Sequence, residues 1–458
     1  MRRTDKTMGE LGKHEYCSEQ ARSENPLGIE VLATMLFGLL LLASMILSAA
    51  ADDGFTLQVF GNANMDDRID DSDLNYAWGI ISGSNRPTEL ADANYDGKID
   101  EADVDQIKKM IAGTAERLTI RDAQNRNVTL NLPIKRAVGA NTGAIEIARG
   151  IGVDIGEVFA AVTTYAITNP EYYPELKGKV ENKFGSPDYE TLAILKPDLV
   201  ILYNKPVKDE SFDKFEAIGA PVICLDCFNK ESLDGSVKIL GEIFDRRDKA
   251  QELLDWYHGY IDLIRYRTVN LKSRERPKTL FYSNPDYYYP IVKARNRNSG
   301  DHWLIVDAGG ENLGENLNST TGSAEVEREW VASQNPDIII GSINQAVNKS
   351  GYSADEDLAV SYMRTMHEKI VSDEAISKTD AAAMEKVYLI CSDLNTGPMQ
   401  AAGTAFMAKI IHPELFEDLD PEDILEEYLE KWQGIPYKGV WIYPPIVCSN
   451  QTALGLMP

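Results

Sequence analysis

Two stretches of the sequence align with each other without a gap. They read DYETLAILKPDLVILYN, at Asp188–Asn204, and EREWVASQNPDIIIGSI, at Glu327–Ile343. Each continues from a Glu through a helical stretch to Pro-Asp and then into an apolar run, because Pro ends a helix and the run has the length of a buried strand. Continuous apolar strands separated by helices predict a parallel sheet that is covered on both faces. The repeat therefore predicts two similar α/β lobes.

The segment between the repeats has the pattern of a long helix. Ser236–Leu271 keeps helical periodicity without a Pro, which predicts one helix of roughly 50 Å. Further apolar runs, PVICLD, KTLFYS and KVYLICS, indicate more buried strands on either side of it. The chain thus reads as one lobe at 117–235, a connecting helix at 236–272 and a second lobe at 273–458.

Upstream of the lobes, two twelve-residue windows place oxygen-bearing side chains at positions 1, 3, 5, 9 and 12. Such spacing lets a tight loop wrap ligands around a hard cation, with position 7 supplying its backbone carbonyl. The windows predict two calcium sites, formed by Asn62, Asn64, Asp66, Arg68, Asp70 and Asp73, and by Asp92, Asn94, Asp96, Lys98, Asp100 and Asp103. The alternative is an acidic turn that is repeated by chance.

The two windows differ at position 6, where the chain turns sharply. Gly97 suits a left-handed backbone better than Asp67 does, so the second loop is expected to bind more tightly. Acidic residues outnumber basic ones by 15 to 5 between Asp52 and Glu116. Because such a segment repels itself without a cation, ion binding and folding should be coupled.

A loop with Asp at position 12, followed by one helix and then repeated, resembles a dockerin domain. The resemblance covers 55–115 as a small all-α domain with paired EF-hand-like calcium loops, and it implies a cohesin-containing partner. In that family, positions 10 and 11 help to choose the partner. Here they are Asp71-Ser72 and Glu101-Ala102, which differ between the loops and do not identify it.

An apolar run precedes this region. Residues 27–51 have about the length needed to span a bilayer and follow a polar tail, 1–26, that carries several Arg and Lys residues. The positive-inside rule places the tail in the cytoplasm and the rest of the chain outside. The run is either a cleaved signal peptide or a signal-anchor helix, so the protein is expected to be extracytoplasmic, at the cell surface, and secreted or membrane-anchored.

The net charge and the cysteine content argue against two other classes of protein. A net charge of −26 argues against nucleic-acid binding, which needs basic surface. Five cysteines are too few for a disulfide scaffold. Cys224 and Cys227 form a C-x-x-C at the end of an apolar strand, which favours a structural role, as free thiols or as a local disulfide, over a redox centre.

The order of three motifs resembles the helical-backbone class of substrate-binding proteins that serve ABC importers of iron–siderophore complexes, haem and cobalamin. The motifs are a hairpin-like opening at Thr119–Asn141, the Pro-Asp element in both lobes, and closing helices at Gly403–Ile435. The resemblance implies an α/β fold of two Rossmann-like lobes joined by one long helix. It also implies a non-enzymatic binding protein that captures an iron(III)-siderophore, haem or corrinoid and delivers it to an ABC transporter permease.

The resemblance also implies site residues. In this class a Glu on each lobe contacts the permease, and the matching positions are Glu190 and Glu329. The ligand lies between the lobes, beyond the C-terminal ends of the strands. The residues implied there are Asn141, Thr142, Tyr165, Ser186, Asn204, Tyr282, Arg295, His302, Trp330, Ser342 and Asn395, of which Arg295 and His302 would suit an anionic chelate.

Fusion of a dockerin to such a binding protein resembles exported proteins of methane-cycling archaea. Two other functions stay open. One is an exported, dockerin-bearing enzyme such as a hydrolase, although the sequence has no G-x-S-x-G motif. The other is a surface adaptor whose α/β body no longer binds a ligand and serves assembly.

Overall fold

A computed structural model describes residues 55–183, 185–204, 212–344, 349–352 and 355–446. The predicted tail 1–26 and the apolar run 27–51 lie outside these ranges. From Thr56 onward the described residues belong to one compact unit. Of the helices in these ranges, none combines the length and the apolar character needed to cross a bilayer.

The first part of this unit is the loop module, which we define as residues 56–115. Its two helices are α1 (Asp71–Ile81) and α2 (Glu101–Ile111), each directly after one acidic loop, as predicted. Each begins with a capping box, because the side chains of Asp70 and Asp100 accept hydrogen bonds at the N-terminus. The two helices pack against each other over buried Ala77, Val104 and Ile107.

A two-stranded hairpin links the loop module to the lobes. Strands β1 (Arg117–Arg121) and β2 (Asn127–Asn131) are antiparallel, as the opening motif predicted. The turn between them is held by Asp122, whose carboxylate accepts the backbone N–H groups of Gln124 and Arg126 at 2.9 and 3.0 Å. A β-bridge between Val59 and Ile120 attaches the loop module to this hairpin.

The first lobe is built on a parallel sheet with the strand order β5-β4-β3-β6-β7. Its strands are β3 (Ala137–Gly139), β4 (Phe159–Thr163), β5 (Val180–Asn182), β6 (Leu199–Tyr203) and β7 (Val222–Leu225). Its helices are α3 (Thr142–Gly150), α4 (Ile155–Val158), α5 (Thr164–Thr168), α6 (Tyr189–Leu195) and α7 (Phe212–Ala217). The strands are buried almost throughout, as the apolar runs predicted.

Two helices, not one, join the lobes. They are α8 (Lys230–Ile243) and α9 (Arg247–Thr268), and the chain turns between them at Asp245, which has a left-handed φ of 51°. The prediction of a single helix over Ser236–Leu271, or 236–272, is therefore wrong. The helices pack closely, since a Cβ on Gly241 would lie 2.8 Å from the Cβ of Ala250. With 22 residues, α9 is about 33 Å long.

The second lobe has a mixed sheet with the order β11-β9-β8-β12-β13-β14, and β10 also pairs with β8. The strands are β8 (Lys278–Ser283), β9 (Val292–Arg295), β10 (Glu311–Asn312), β11 (Ser323–Val326), β12 (Ile338–Ile343), β13 (Val387–Cys391) and β14 (Ile442–Tyr443). The helices are α10 (Pro285–Tyr288), α11 (Gly300–Asp307), α12 (Arg328–Gln334), α13 (Glu356–Val371), α14 (Asp380–Ala383), α15 (Gln400–Ile411) and α16 (Pro421–Glu427), which continues as a π-turn over Tyr428–Trp432. The central strands β8, β12 and β13 are parallel as predicted, whereas β9 and β14 run antiparallel to them and β11 pairs antiparallel with β9.

The sequence repeat corresponds to a structural repeat. Helices α6 and α12 end at left-handed residues, Lys196 and Asn335, with φ values of 48° and 46°. The next Pro-Asp leads into β6 or β12. In each copy the Asp carboxylate accepts backbone N–H groups where a neighbouring strand begins: Asp198 binds Lys135 and Arg136, and Asp337 binds Lys278. The two lobes thus share one local design.

Candidate functional site

Asn141 lies directly after β3 and holds the strand ends of the first lobe together. Its amide Nδ2 donates to the carbonyls of Leu202 and Leu225 at 3.3 and 2.9 Å, and its Oδ1 accepts the N–H of Ala144 at the start of α3. The side chain is fully buried. The predicted residue is therefore at the expected edge, but its polar atoms are all used within the lobe.

Three other predicted residues of the first lobe also follow strands. The hydroxyl of Thr142 lies 3.0 Å from that of Tyr203. Asn204 donates to the carboxylate of Asp226 at 3.0 Å. Ser186 is exposed in the loop before α6. The first two lie at the C-terminal edge of the sheet, where the topology of a parallel sheet places a ligand.

In the second lobe, Ser342 is the last residue but one of β12 rather than following that strand, whereas Asn395 lies in the turn after β13 as predicted. The hydroxyl of Ser342 accepts the N–H of Asn284 at 3.3 Å. The Oδ1 atom of Asn395 is buried without a hydrogen-bond partner, and a Cβ on Gly300 would lie 2.7 Å from it. Tyr282 is fully buried, and its hydroxyl donates to the carbonyl of Ile291 at 2.9 Å, so it serves the core of this lobe.

Three residues of the second lobe that were predicted to contact the ligand instead contact other residues of that lobe. Arg295 forms an ion pair with Asp301 at 2.8 Å. His302 is buried, Nδ1 lies 3.1 Å from Nδ2 of Asn312, and burial lowers its pKa, so the ring is not a ready cation. Trp330 packs against the hydrophobic core of the lobe. Arg295 and His302 therefore already have partners within the protein, and their contact with an anionic chelate stays a prediction.

The two lobes meet at Tyr165 and Asp393. The hydroxyl of Tyr165, in α5, donates a hydrogen bond to the carboxylate of Asp393, in the turn after β13. Beside this contact the N–H of Gly397 donates to the carbonyl of Cys227 at 3.0 Å, and Gln400 Nε2 donates to the carbonyl of Phe228 at 2.8 Å. Tyr165 was predicted from the resemblance, whereas Asp393 was not.

Behind this contact lies a buried acid surrounded by tyrosines. Glu146 in α3 accepts hydrogen bonds from Tyr173 at 2.9 Å and Tyr428 at 3.3 Å, and it is almost wholly inaccessible to solvent. Burial and the nearby Asp393 raise the pKa of Glu146 to about 8, and burial raises that of Asp393 to about 6. The sequence contains one sign of this buried acid: Glu146 is a charged residue on the otherwise apolar face of α3.

Several buried polar atoms around the strand ends have no protein partner. They include both amide atoms of Asn182 at the end of β5, Oδ1 of Asn284 after β8, and Oδ1 of Asn395 after β13. Buried polar groups are nearly always hydrogen-bonded, so such atoms mark places where a ligand or water would bind. Neither Asn182 nor Asn284 was predicted from the sequence.

The predicted docking residues occupy equivalent positions. Glu190 and Glu329 are exposed, and each lies in the first turn of its helix, α6 or α12. The structural repeat therefore presents one exposed carboxylate on each lobe in the same local setting. An acidic residue at a helix N-terminus also favours the helix dipole, so this geometry alone does not require a partner.

The two acidic loops form the second candidate site. Within the described ranges no three His, Cys, Asp or Glu side chains converge into a group that could hold a metal ion. Calcium sites also use amide and backbone oxygens, so the carboxylates alone do not define the set of oxygen donors in either loop. In both loops the carboxylate at position 12, Asp73 or Asp103, accepts the N–H groups of positions 3 and 9.

In the second loop the remaining donor set fits a hard cation. Gly97 is left-handed with φ 88°, and its N–H donates to Asp92 at 2.9 Å. The Oδ1 atom of Asn94, at position 3, is buried without a partner. Asp96 and Asp100 each accept a backbone N–H and keep further lone pairs. An unpaired oxygen and four carboxylates are what calcium prefers as ligands.

The first loop differs at the same positions. Asn62 donates to the carbonyls of Leu57 and Asp66 at 2.9 and 2.6 Å, and its Oδ1 accepts the N–H of Asp66. Asn64 Oδ1 also accepts that N–H, and its Nδ2 donates to the Asp66 carboxylate at 2.6 Å. Asp67 does not have a positive φ, so the expected left-handed turn at position 6 is absent. The oxygens at positions 1 and 3 are already bonded to the protein.

The C-x-x-C pair consists of free thiols. Cys224, Cys227 and Cys391 are buried and unbridged, which excludes the local disulfide and leaves the free-thiol alternative. Burial raises the pKa of Cys227 well above that of an ordinary thiol, so it is not a reactive thiolate.

Comparison with known proteins gives consistent matches over the two lobes. Residues 144–394 match the family model described as periplasmic binding protein. The molybdate-binding protein MolA of Haemophilus influenzae is 21% identical over 356 residues, covering 71% of this chain and 93% of that protein. A vitamin B12-binding protein of Yersinia pestis is 22% identical over 230 residues, covering 49% of this chain and 76% of its own.

Solved structures match the same region. The TroA-like periplasmic binding protein FepB of Veillonella parvula has a TM-score of 0.59 at 22% identity, covering 71% of this chain and 98% of its own. Molybdate-bound MolA of Haemophilus influenzae has a TM-score of 0.57 at 20% identity, covering 70% and 99%. At these identities the likeness shows the fold, and it confirms the α/β class predicted from the repeat.

Proposed function

The chain belongs to the periplasmic binding protein family, and we propose that it is the extracytoplasmic substrate-binding component of an ABC importer. The observation that carries the proposal is the meeting of two α/β lobes at Tyr165 and Asp393, with polar residues at the strand ends of both. Ligand binding between two lobes uses this arrangement, because closure brings donors and acceptors from both sides onto one molecule.

For the ligand we propose a metal-centred complex: an iron(III)-siderophore, or a haem or corrinoid of similar size. The names of the relatives support this class, since one is a vitamin B12-binding protein and another a molybdate-binding protein. The unpartnered amide atoms of Asn182 and Asn395 are suited to the polar rim of such a ligand. Because Arg295 and His302 are engaged elsewhere, they are not part of the proposed contact set.

Delivery would use the exposed Glu190 and Glu329 as two acidic contacts for the permease. Their equivalent placement supports this role, since a transporter that is built from two similar halves presents its basic residues in pairs. The proposal requires that both carboxylates stay accessible when the lobes close.

For the loop module we propose a calcium-binding dockerin that attaches the protein to a cohesin-bearing partner at the cell surface. The fit of the second loop to a hard cation supports calcium binding, through the unpaired Oδ1 of Asn94 and the carboxylates around it. Exposed Trp78 and Ile81 on α1 offer apolar area for a protein partner. The predicted N-terminal segment would place the module outside the cell.

The test is calorimetric titration of the purified chain with ferric siderophores, haem, cobalamin and molybdate in turn. We expect one class to bind with micromolar affinity or better, and Asn395→Ala to weaken that binding at least tenfold. Asn75→Ala, an exposed amide on α1, is the matched control. If the folded protein binds none of the four below about millimolar, the transport proposal fails and an adaptor role takes its place.

A further inference from the structure

The two acidic loops have the same residue spacing but a different bonding pattern at position 1. In the second loop both carboxylate oxygens of Asp92 accept backbone N–H groups, those of Asp96 and Gly97 at 3.0 and 2.9 Å. In the first loop Asn62 replaces the acid, and its amide donates to the carbonyls of Leu57, before the loop, and Asp66, within it. The side chain of Asn62 at position 1 of the first loop is thereby hydrogen-bonded to the protein itself.

At position 3, too, the oxygen of the first loop is hydrogen-bonded to the protein and that of the second loop is not. Asn94 keeps a buried, unpaired Oδ1, whereas Oδ1 of Asn64 accepts a hydrogen bond from the backbone of Asp66 at 3.0 Å. Nδ2 of Asn64 also donates to the carboxylate at position 5, that of Asp66. A cation entering the first loop would have to break these bonds, while the second loop has an oxygen that lacks a partner.

A lysine of the body reaches into the first loop. Lys238 on α8 forms an ion pair with the carboxylate of Asp67, at position 6, and its Nζ also donates to the backbone carbonyl of Asp67 at 3.0 Å. Only 12% of the Lys238 side chain is exposed, so this ammonium is held at the junction. No such cation is bonded to Gly97, which occupies position 6 of the second loop and has no side chain.

The number of carboxylates at the ligand positions also differs between the two loops. Ligand positions of the first loop carry three carboxylates, those of Asp66, Asp70 and Asp73, while those of the second carry four. The carboxylate of Asp67, at position 6, adds no attraction for a divalent ion, because its ion pairs with Lys238 and Arg68 neutralise it. The first loop therefore does not fit calcium.

We propose that the two loops have diverged: the second alone binds calcium, and the first is a metal-free clasp in which Lys238 of the body supplies the positive charge. This inference rests on the proposed calcium binding by the loop module. It replaces two equivalent sites with one ion per chain, and it gives the first loop the separate task of fixing the module to α8.

Other contacts at the junction agree with a permanent attachment. Arg247, at the start of α9, donates to the carbonyl of Met110 at the end of α2. The N–H of Phe60 donates to the carbonyl of Thr119 at 2.9 Å, and the side-chain amide of Gln106 donates to the backbone carbonyl of Arg117 at 2.7 Å. None of these bonds uses a ligand position of either loop.

The first test measures stoichiometry on the full chain after EDTA treatment and dialysis. Calorimetry and elemental analysis should give one calcium per chain. Asp96→Asn should abolish that binding, whereas Asp66→Asn, the matched change at position 5 of the first loop, should leave the stoichiometry at one. Two ions per chain, or loss of the ion in Asp66→Asn with Asp96→Asn unaffected, would overturn the inference.

The second test follows backbone amide exchange in EDTA and in calcium. We expect residues 62–73 to be protected equally in both, and residues 92–103 to gain at least tenfold protection only with calcium. Lys238→Met should speed exchange in the first loop, while Lys249→Met, an exposed lysine of α9, should not. If protection of the first loop requires calcium, the clasp is disproved; if no calcium binds but Lys238→Met acts as stated, only the calcium proposal fails.

Discussion

The hydroxyl of Tyr165 donates a hydrogen bond to the carboxylate of Asp393, although 228 residues separate them in the chain. Tyr165 lies in α5 of the first lobe, and Asp393 lies in the turn after β13 of the second. The bond is partly buried, and burial of Asp393 raises the pKa of that carboxyl group to about 6. The contact between the lobes therefore contains a carboxyl group that titrates near neutral pH.

Stability should fall as the pH rises from about 5 to 8.5. Folding raises the pKa of Glu146 to about 8 and that of Asp393 to about 6, both above their unfolded values, so the folded state holds extra protons in this range. The stabilisation is complete at low pH and is lost as the pH rises through the folded values, by roughly 5 kcal/mol in total. Nearby Arg149 opposes part of this loss, because its charge favours ionised Glu146.

Urea unfolding at a series of pH values measures this effect. Glu146→Gln should flatten the decline, because an amide cannot ionise in the buried site. Glu216→Gln, an exposed change in the same lobe, should keep the wild-type slope. A wild-type protein with constant stability across this range would contradict the prediction.

Asn141→Ala should destabilise the first lobe by roughly 2–4 kcal/mol. The change removes the donors to the carbonyls of Leu202 and Leu225 and leaves both buried without that partner. It also removes the N-cap of α3. Chemical denaturation measures the loss, and Asn75→Ala should stay within about 0.5 kcal/mol of wild type. A loss of ligand affinity without a loss of stability would instead favour direct contact with the ligand.

Two helical glycines should respond in opposite ways to Ala. A Cβ at Gly403, in α15, would lie 2.2 Å from the carbonyl oxygen of Leu394, so Gly403→Ala should displace the turn that carries Asp393 and Asn395. At Gly259, in α9, nothing lies within 4 Å, and Ala there should stabilise the helix by about 0.5–1 kcal/mol. Thermal unfolding compares the two. Equal effects would show that α15 does not pack closely on that turn.

Charge reversal at Glu190 and Glu329 should reduce transport without changing ligand binding. The double variant Glu190→Lys, Glu329→Lys places two cations where the permease is proposed to meet two carboxylates, and like charges across an interface are strongly unfavourable. Uptake by cells or vesicles should fall more than tenfold, while calorimetric affinity stays within twofold. Glu216→Lys, Glu368→Lys, one exposed Glu in each lobe, is the control and should transport normally.

The repeat could be read from the sequence because Pro-Asp and the apolar strand are local signals. The break between α8 and α9 could not, because it falls at Asp245, a residue type that is not a strong helix breaker, and no Gly or Pro marks the turn. Local signals were also sufficient to predict a helix after each acidic loop, and α1 and α2 lie there.

Site residues were harder to predict because their roles depend on distant partners. Arg295 and His302 were predicted to suit an anionic chelate, yet each has a neighbour in the fold, Asp301 or Asn312, that the sequence did not reveal. Asp393 and Asn182 were missed because a single acid or amide after a strand is common, and only the folded chain shows that it is buried at a lobe edge. The two acidic loops looked alike in spacing, and the difference lies in hydrogen bonds made by Asn62.

The attachment of the loop module through Lys238 and Arg247 determines how the molecule moves in solution. Because these side chains join the module directly to α8 and α9, no free linker separates the two acidic loops from the lobes. A partner held by α1 would tumble with the lobes as one particle and would keep a constant angle to them. The distance from a surface anchor to Glu190 and Glu329 would then be fixed by the dimensions of the protein, because no flexible linker could lengthen or shorten it.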